Sequence, residues 1–228
     1  MYVPFIAIIL GVVLGLVQFF HEHIYEVCKN FYDKIISVSA GISISYIFLD
    51  LFPNFTNEAT ITNRYIFISV LIGFALLHLI EKYVYQHTSP SLIEKRLEIS
   101  NQLISFIYHF ILGIIILDFA EESIPEAILL FIPIVIFTAV STIPIQQHPS
   151  KKVNFIVALS TPTGVIIAFL LQSILTLEII TILIGVVIGG LLFSIIRHSI
   201  PMGANGKPSY FLLGILIYVP IIILGWSL

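Results

Sequence analysis

The stretch "GISISYIFLDLFP", residues 41–53, is an apolar run that carries Asp50 nine residues after its first glycine and Pro53 twelve after it. The layout recurs as "GGLLFSIIRHSIP", residues 189–201, where His198 and Pro201 stand nine and twelve residues after Gly189. Each run is almost long enough to cross a bilayer by itself, and each brings one ionisable side chain into that apolar setting. What solvent such segments meet decides the fold.

The composition answers that. Of 228 residues, 58% are hydrophobic and only 10% charged, with a mean hydropathy of +1.08. A soluble domain usually carries about 25% charged residues. There is too little polar surface here to cover a particle in water, so the partner of most of the surface is the lipid bilayer. The single cysteine, Cys28, has no internal disulfide partner and no zinc-knuckle companion. The net charge of −3 matters less than where the charges sit.

A helix that crosses the hydrocarbon core needs roughly 17–25 mostly apolar residues. Eight stretches approach that length, at about 3–20, 35–53, 65–81, 103–120, 127–145, 153–175, 179–197 and 209–227. The reading is a single all-α, polytopic domain of eight membrane spans over residues 1–228. The opening "MYVPFIAIILGVVLGLVQFF" lacks a basic leader and a small-residue cleavage site, so it reads as a retained helix. No connection is long enough for a separate soluble domain; the longest, residues 82–102, contains "KYVYQHTSPSLIEKRLEISNQ".

Lys and Arg in short loops set the orientation. Connections 1–2, 3–4, 5–6 and 7–8 hold Lys29, Lys34, Lys82, Lys95, Arg96, Lys151, Lys152, Arg197 and Lys207, and the other set holds only Arg64. That asymmetry predicts the first set in the cytoplasm, both termini outside, and residence in the cell membrane. The acidic connection "DFAEESIPEA" then faces outward. In this topology the two matching runs, in spans 2 and 7, point in opposite directions. Spans 1–3 against 6–8 therefore read as an inverted repeat, a plan common in secondary transporters.

An ionised side chain at the bilayer centre costs about 2.5–3.5 kcal/mol on insertion scales, so such residues need a reason. His109, in "SFIYHFILG" of span 4, is the leading candidate; the plain alternative is a neutral imidazole bonded to a neighbouring helix. His78 and Glu81, three apart in "GFALLHLIEKY", share a helical face near the cytoplasmic end, together with His198. Asp50 and Asp118 lie toward the outer ends of spans 2 and 4 and are placed to attract cations or simply to be solvated. "HEHIYE" (His21, Glu22, His23, Glu26) has ligand chemistry for zinc and equally the look of a wet loop.

Spans 5 and 6 are polar without being charged: "FTAVSTIPIQQ" and "VALSTPTGVIIA". Pro144 and Pro162 each remove an amide donor beside Ser141, Thr142, Thr161 and Thr163. Freed carbonyls and hydroxyls face protein or a wet cavity rather than lipid, although small-residue packing produces the same composition. With Tyr108 these hydroxyls line the expected path between spans 4, 5 and 6. The chain has no GxxxxGK[ST], HExxH or GxSxG, so nucleotide-driven transport and intramembrane hydrolysis are not expected. Neither an enzyme nor a nucleic-acid partner is indicated.

At these residues the chain resembles the Zrt/Irt-like (ZIP) family of divalent metal transporters. "AGISISYIFLDLFP" is similar to the family's second helix, which usually ends Leu-His-Leu-Leu-Pro, with Asp50 at the histidine position. "LIGFALLHLIEKY" is similar to the third helix through Gly73, Phe74 and Glu81, "HPSKKVNFIVALS" to the turn into the sixth, and "GGLLFSIIRHSIP" to the seventh. In the fourth helix, where the family has His-Asn and then an acid and Gly, "YHFILG" puts Tyr108, His109 and Leu112 at those three places. In the fifth, "STIP" puts Ser141 and Thr142 where the family carries metal ligands. The resemblance implies inward movement of a divalent cation, zinc or iron, with a helix 1/4/5/6 bundle moving against the rest. It also implies a homodimer through helices 2, 3, 7 and 8. Loss of the usual ligands leaves two other expectations: a scaffold that acts by binding partners, or a carrier of an uncharged solute.

Overall fold

The computed structural model describes residues 2–140, 151–200 and 207–227. Those residues form helices and no strand. In lipid this is forced, because every backbone amide must find its acceptor within its own segment.

Eleven α-helices are described: α1 (Val3–Phe19), α2 (His21–Cys28), α3 (Tyr32–Tyr46), α4 (Phe52–Thr62), α5 (Ile68–His87), α6 (Ile93–Glu122), α7 (Ile124–Val140), α8 (Lys151–Ala158), α9 (Ser160–Leu170), α10 (Leu177–Ser194) and α11 (Pro208–Gly225). Six helical runs are long and apolar enough to cross a membrane, and α1 and α7 are shorter apolar helices of 17 residues each. The chain is thus compatible with a polytopic membrane protein. Span 2 reaches well past its expected end at Pro53: α3 and α4 form one helical rod through Thr62. A proline in the first turn of α4 costs nothing there, because the rod has a π turn just before it. α8 and α9 form one helical run, Lys151–Leu170, with only a local irregularity at Leu159, whose N–H still donates to the Phe155 carbonyl.

Two five-residue π segments interrupt the α geometry, Ile47–Leu51 after α3 and Ile195–Ser199 after α10. Each begins six residues after its glycine (41 to 47 and 189 to 195) and contains the ionisable residue of the matched runs, Asp50 or His198. The closing bonds match also: Phe52 N–H donates to the Ile47 carbonyl and Ile200 N–H to the Ile195 carbonyl. π turns are rare and gather at functional sites.

The most intimate helix pairs are α3 with α11, α5 with α10 and α6 with α9. Glycines set all three approaches: in α6/α9 a methyl group on Gly113 would overlap the Thr161 carbonyl, and one on Gly164 the Phe110 carbonyl. A methyl group on Gly41 would overlap the Phe211 carbonyl, and one on Gly214 the Val38 carbonyl. In α5/α10 the relation repeats with Gly189 against Val70 and Gly73 against Val186. In all six cases the blocking carbonyl belongs to the residue three before the partner glycine. Small residues at crossings let backbones touch where lipid offers no hydrophobic push.

The interior is filled by Leu14, Tyr46, Ile47, Phe55, Leu112, Ile115, Ile116, Leu130, Ile134 and Ile188, all essentially inaccessible. By contrast α5 buries only Ser69, Gly73 and Val84, and α11 only Gly214, Tyr218 and Ile222. Their outer faces carry Leu71, Ile72, Leu79, Leu212, Leu216 and Ile223 in the open, a surface fit for acyl chains. The two ends of the bundle differ in charge. One gathers Glu58, Asp118, Glu121, Glu122 and Glu126; the other holds the Arg197–Glu81 ion pair.

Candidate functional site

His109 lies in α6, only 6% exposed, where α1, α6 and α7 meet. Its Nδ1 is 2.8 Å from the carbonyl oxygen of Ser105, one turn earlier on the same helix. A carbonyl can only accept, so Nδ1 carries the proton and Nε2 keeps its lone pair. That lone pair accepts from the Thr138 hydroxyl of α7 at 3.2 Å. Fixing one ring nitrogen on a backbone carbonyl is how metal-binding histidines are usually oriented.

Gln18 of α1 closes the third side. Its amide nitrogen donates to Ser105 Oγ at 2.7 Å; it also lies 3.1 Å from His109 Nδ1, as a neighbour and not a hydrogen-bond partner, since both nitrogens carry protons in this tautomer. Its oxygen is buried and has no partner among the described residues, as are Tyr108 OH and Thr161 Oγ1. A buried polar atom without a hydrogen bond costs about 1–3 kcal/mol, so each such atom asks for a water, an ion or a ligand. Depth follows from helix rise. His109 is 13 residues from the acidic end of α6 and Thr138 14 from that of α7, about 20 Å at 1.5 Å per residue. The cluster therefore lies well inside the bundle from the acidic end, with His109 near the middle of the 30-residue α6.

The other expected residues divide clearly. Thr161 is fully buried on α9. Thr163 is exposed and donates to the carbonyl of Leu159; two residues apart, the pair point to nearly opposite sides of the helix, so Thr163 is not part of the cluster. Ser141 and Thr142, with Pro144, lie outside the described residues. Asp50 is buried at 5% exposure, with Trp226 Nε1 at 3.4 Å from Oδ1. Asp118 is half-buried at the acidic end beside Glu58, Glu121 and Glu122.

At the opposite end, Arg197 donates to Glu81 Oε1 through Nε (3.0 Å) and Nη2 (2.9 Å), and His198 Nε2 lies 3.6 Å from Oε2. His78 and His198 flank the same ring, Phe193, each 6.0 Å from its centroid. These groups tie α5 to α10; none contacts His109. Glu22 of "HEHIYE" accepts from Asn154 at 3.0 Å, and Glu26 pairs with Lys29 at 3.0 Å.

Two neighbours of His109, Gln18 and Thr138, are uncharged residues that sequence reading does not select. Among the described residues no three His, Cys, Asp or Glu side chains converge as a metal site. The cluster offers one imidazole nitrogen and neutral oxygens. No known family profile and no curated protein matches the chain.

Proposed function

We propose that the chain is a ZIP-like secondary transporter of eight spans that passes a divalent metal cation, zinc or iron, toward the cytoplasm. In this reading the acidic end faces outward, the Arg197–Glu81 end faces the cytoplasm, and both termini are outside. The inverted repeat draws support from the equal spacing of the π segments. A transporter with such halves works by moving one group of helices against the other around a fixed site.

One observation carries the proposal: a buried imidazole with its Nε2 lone pair directed between α6 and α7, flanked by unpaired buried oxygens. A cation arriving there displaces the Thr138 hydroxyl from Nε2 and gains the lone pair. Gln18 Oε1 on α1 and Thr161 Oγ1 on α9 are buried, uncommitted oxygens of helices packed against α6, with Tyr108 and the hydroxyls of Ser141 and Thr142 assigned to the path. Asp118 and its acidic neighbours raise the local cation concentration at the outer face. A homodimer would use the glycine-paired helices α3, α5, α10 and α11.

A second reading has its own support. The His109 partners are all neutral, and a divalent ion in a low-dielectric site favours compensating negative charge. That donor set suits an uncharged hydrogen-bonding solute, or a scaffold that no longer transports. Zinc and ferrous iron uptake into proteoliposomes separates the readings. Metal transport predicts flux above empty vesicles that is lost in His109→Ala; flux equal to empty vesicles removes it.

A further inference from the structure

Ser39, Ser43 and Tyr46 follow one another at four and three residues along α3, so they share a face. Gly41 lies between the two serines in sequence and faces α11, so Ser39 and Ser43 turn away from α11, while the Tyr46 ring reaches Tyr218 of α11, centroids 6.5 Å apart. All three are at most 3% exposed, and all three hydroxyls are without a partner among the described residues. Four residues further, the wider π turn swings Asp50 part-way back toward α11, where Trp226 meets it.

Asp50 is the unusual group. It is a buried carboxylate whose one hydrogen bond is long, 3.4 Å from an indole nitrogen, and among the described residues no Lys, Arg or His forms an ion pair with it. A buried charge is tolerated when it is paired and costs several kcal/mol when it is not. The groups in electrostatic reach of this corner are Tyr46 of α3, Tyr218 of α11, Tyr108 of α6 and Glu126 of α7. Of these, Tyr218 OH is committed to the Leu129 carbonyl at 2.7 Å. Tyr46 OH is not committed, and its residue is 1% exposed.

We propose that Asp50 and Tyr46 hold a monovalent cation, sodium, at the seam of α3, α7 and α11, with Glu126 at its rim. One carboxylate deep in the seam balances one positive charge, whereas a divalent ion would leave a net charge in low dielectric. Hard oxygen donors, a carboxylate and a phenol, suit a small alkali cation rather than a soft metal. The site shares no ligand atom with His109, so it is a second cation position and supplies the coupling ion for a secondary transporter. Its existence does not depend on what His109 binds.

Trp226 is the only tryptophan of the chain and contacts Asp50, so its fluorescence reports the site directly. Sodium is titrated into purified protein in detergent, with N-methylglucamine holding ionic strength constant. The expected result is a saturable change in Trp226 emission, lost in Asp50→Asn and shifted to about tenfold higher sodium in Tyr46→Phe, the weakening expected for one lost ligand hydroxyl. Tyr46→Phe keeps the ring packed, and an unchanged gel-filtration profile shows that it folds. The proposal is overturned if emission does not respond to sodium, if the response survives Asp50→Asn, or if magnesium or zinc produces it and sodium does not. A response to pH alone, with none to sodium, also overturns it by showing a carboxylic acid there. Absence of metal flux in vesicles bears on His109 and leaves this readout untouched.

Discussion

His109 Nε2 and the Thr138 hydroxyl meet at 3.2 Å across the α6–α7 seam, so a cargo that takes the unprotonated ring nitrogen left by the Ser105 contact must displace this hydroxyl. Thr138→Val keeps shape and volume but removes the donor. A buried acceptor left without its partner costs about 1–3 kcal/mol, so the melting temperature in detergent should fall, while Thr138→Ser should restore it.

Gln18 organises the same ring from α1 through Ser105. Gln18→Leu should reduce cargo uptake without unfolding the protein, since the apolar side chain replaces an amide whose oxygen is itself unpaired. Loss of the folded peak in gel filtration, rather than loss of uptake, would assign Gln18 a purely structural role.

Neighbouring glycines make a sharp packing test. Gly189→Ala puts a methyl group into the Val70 carbonyl, whereas at Gly190 the nearest atom is Leu77 Cδ1 at 3.5 Å, an ordinary contact. Overpacking costs about 1–3 kcal/mol. Gly189→Ala should therefore lower thermal stability markedly and Gly190→Ala hardly at all; Gly41→Ala should behave like Gly189→Ala.

The Arg197–Glu81 pair is only a modest contributor. Arg197 is half exposed and Glu81 16% exposed, so solvent screening limits the pair to about 0.2–1 kcal/mol. Glu81→Gln should lower stability slightly, and added salt should shrink the difference between the two proteins.

Much of this was open to inspection in the residues. Hydropathy marks the apolar helices because lipid demands them, and the run of residues 41–53 matches that of 189–201 in spacing alone. The π segments were not legible, since a π turn has no distinctive composition and reflects how Asp50 and His198 are accommodated in the bundle. His109 stood out as an ionisable group inside a span. Gln18 and Thr138 did not, because uncharged residues near the ends of apolar helices are common, and nothing in "FTAVSTIPIQQ" ranks Thr138 above Ser141 or Thr142. The hydroxyl stripe of Ser39, Ser43 and Tyr46 was hidden for a similar reason: serines in membrane helices usually serve close packing. Asp50 was legible as an ionisable group in an apolar run, but not its burial, which depends on packing that brings Trp226 against it.

The central claim is that His109 presents a free imidazole nitrogen to a metal cargo. Crystals soaked in zinc, with anomalous diffraction recorded at the zinc edge, test it most directly. The account predicts one anomalous peak within bonding distance of His109 Nε2, with the Thr138 hydroxyl displaced, and no such peak in His109→Ala. Zinc bound only elsewhere, with the His109–Thr138 hydrogen bond intact, would contradict it.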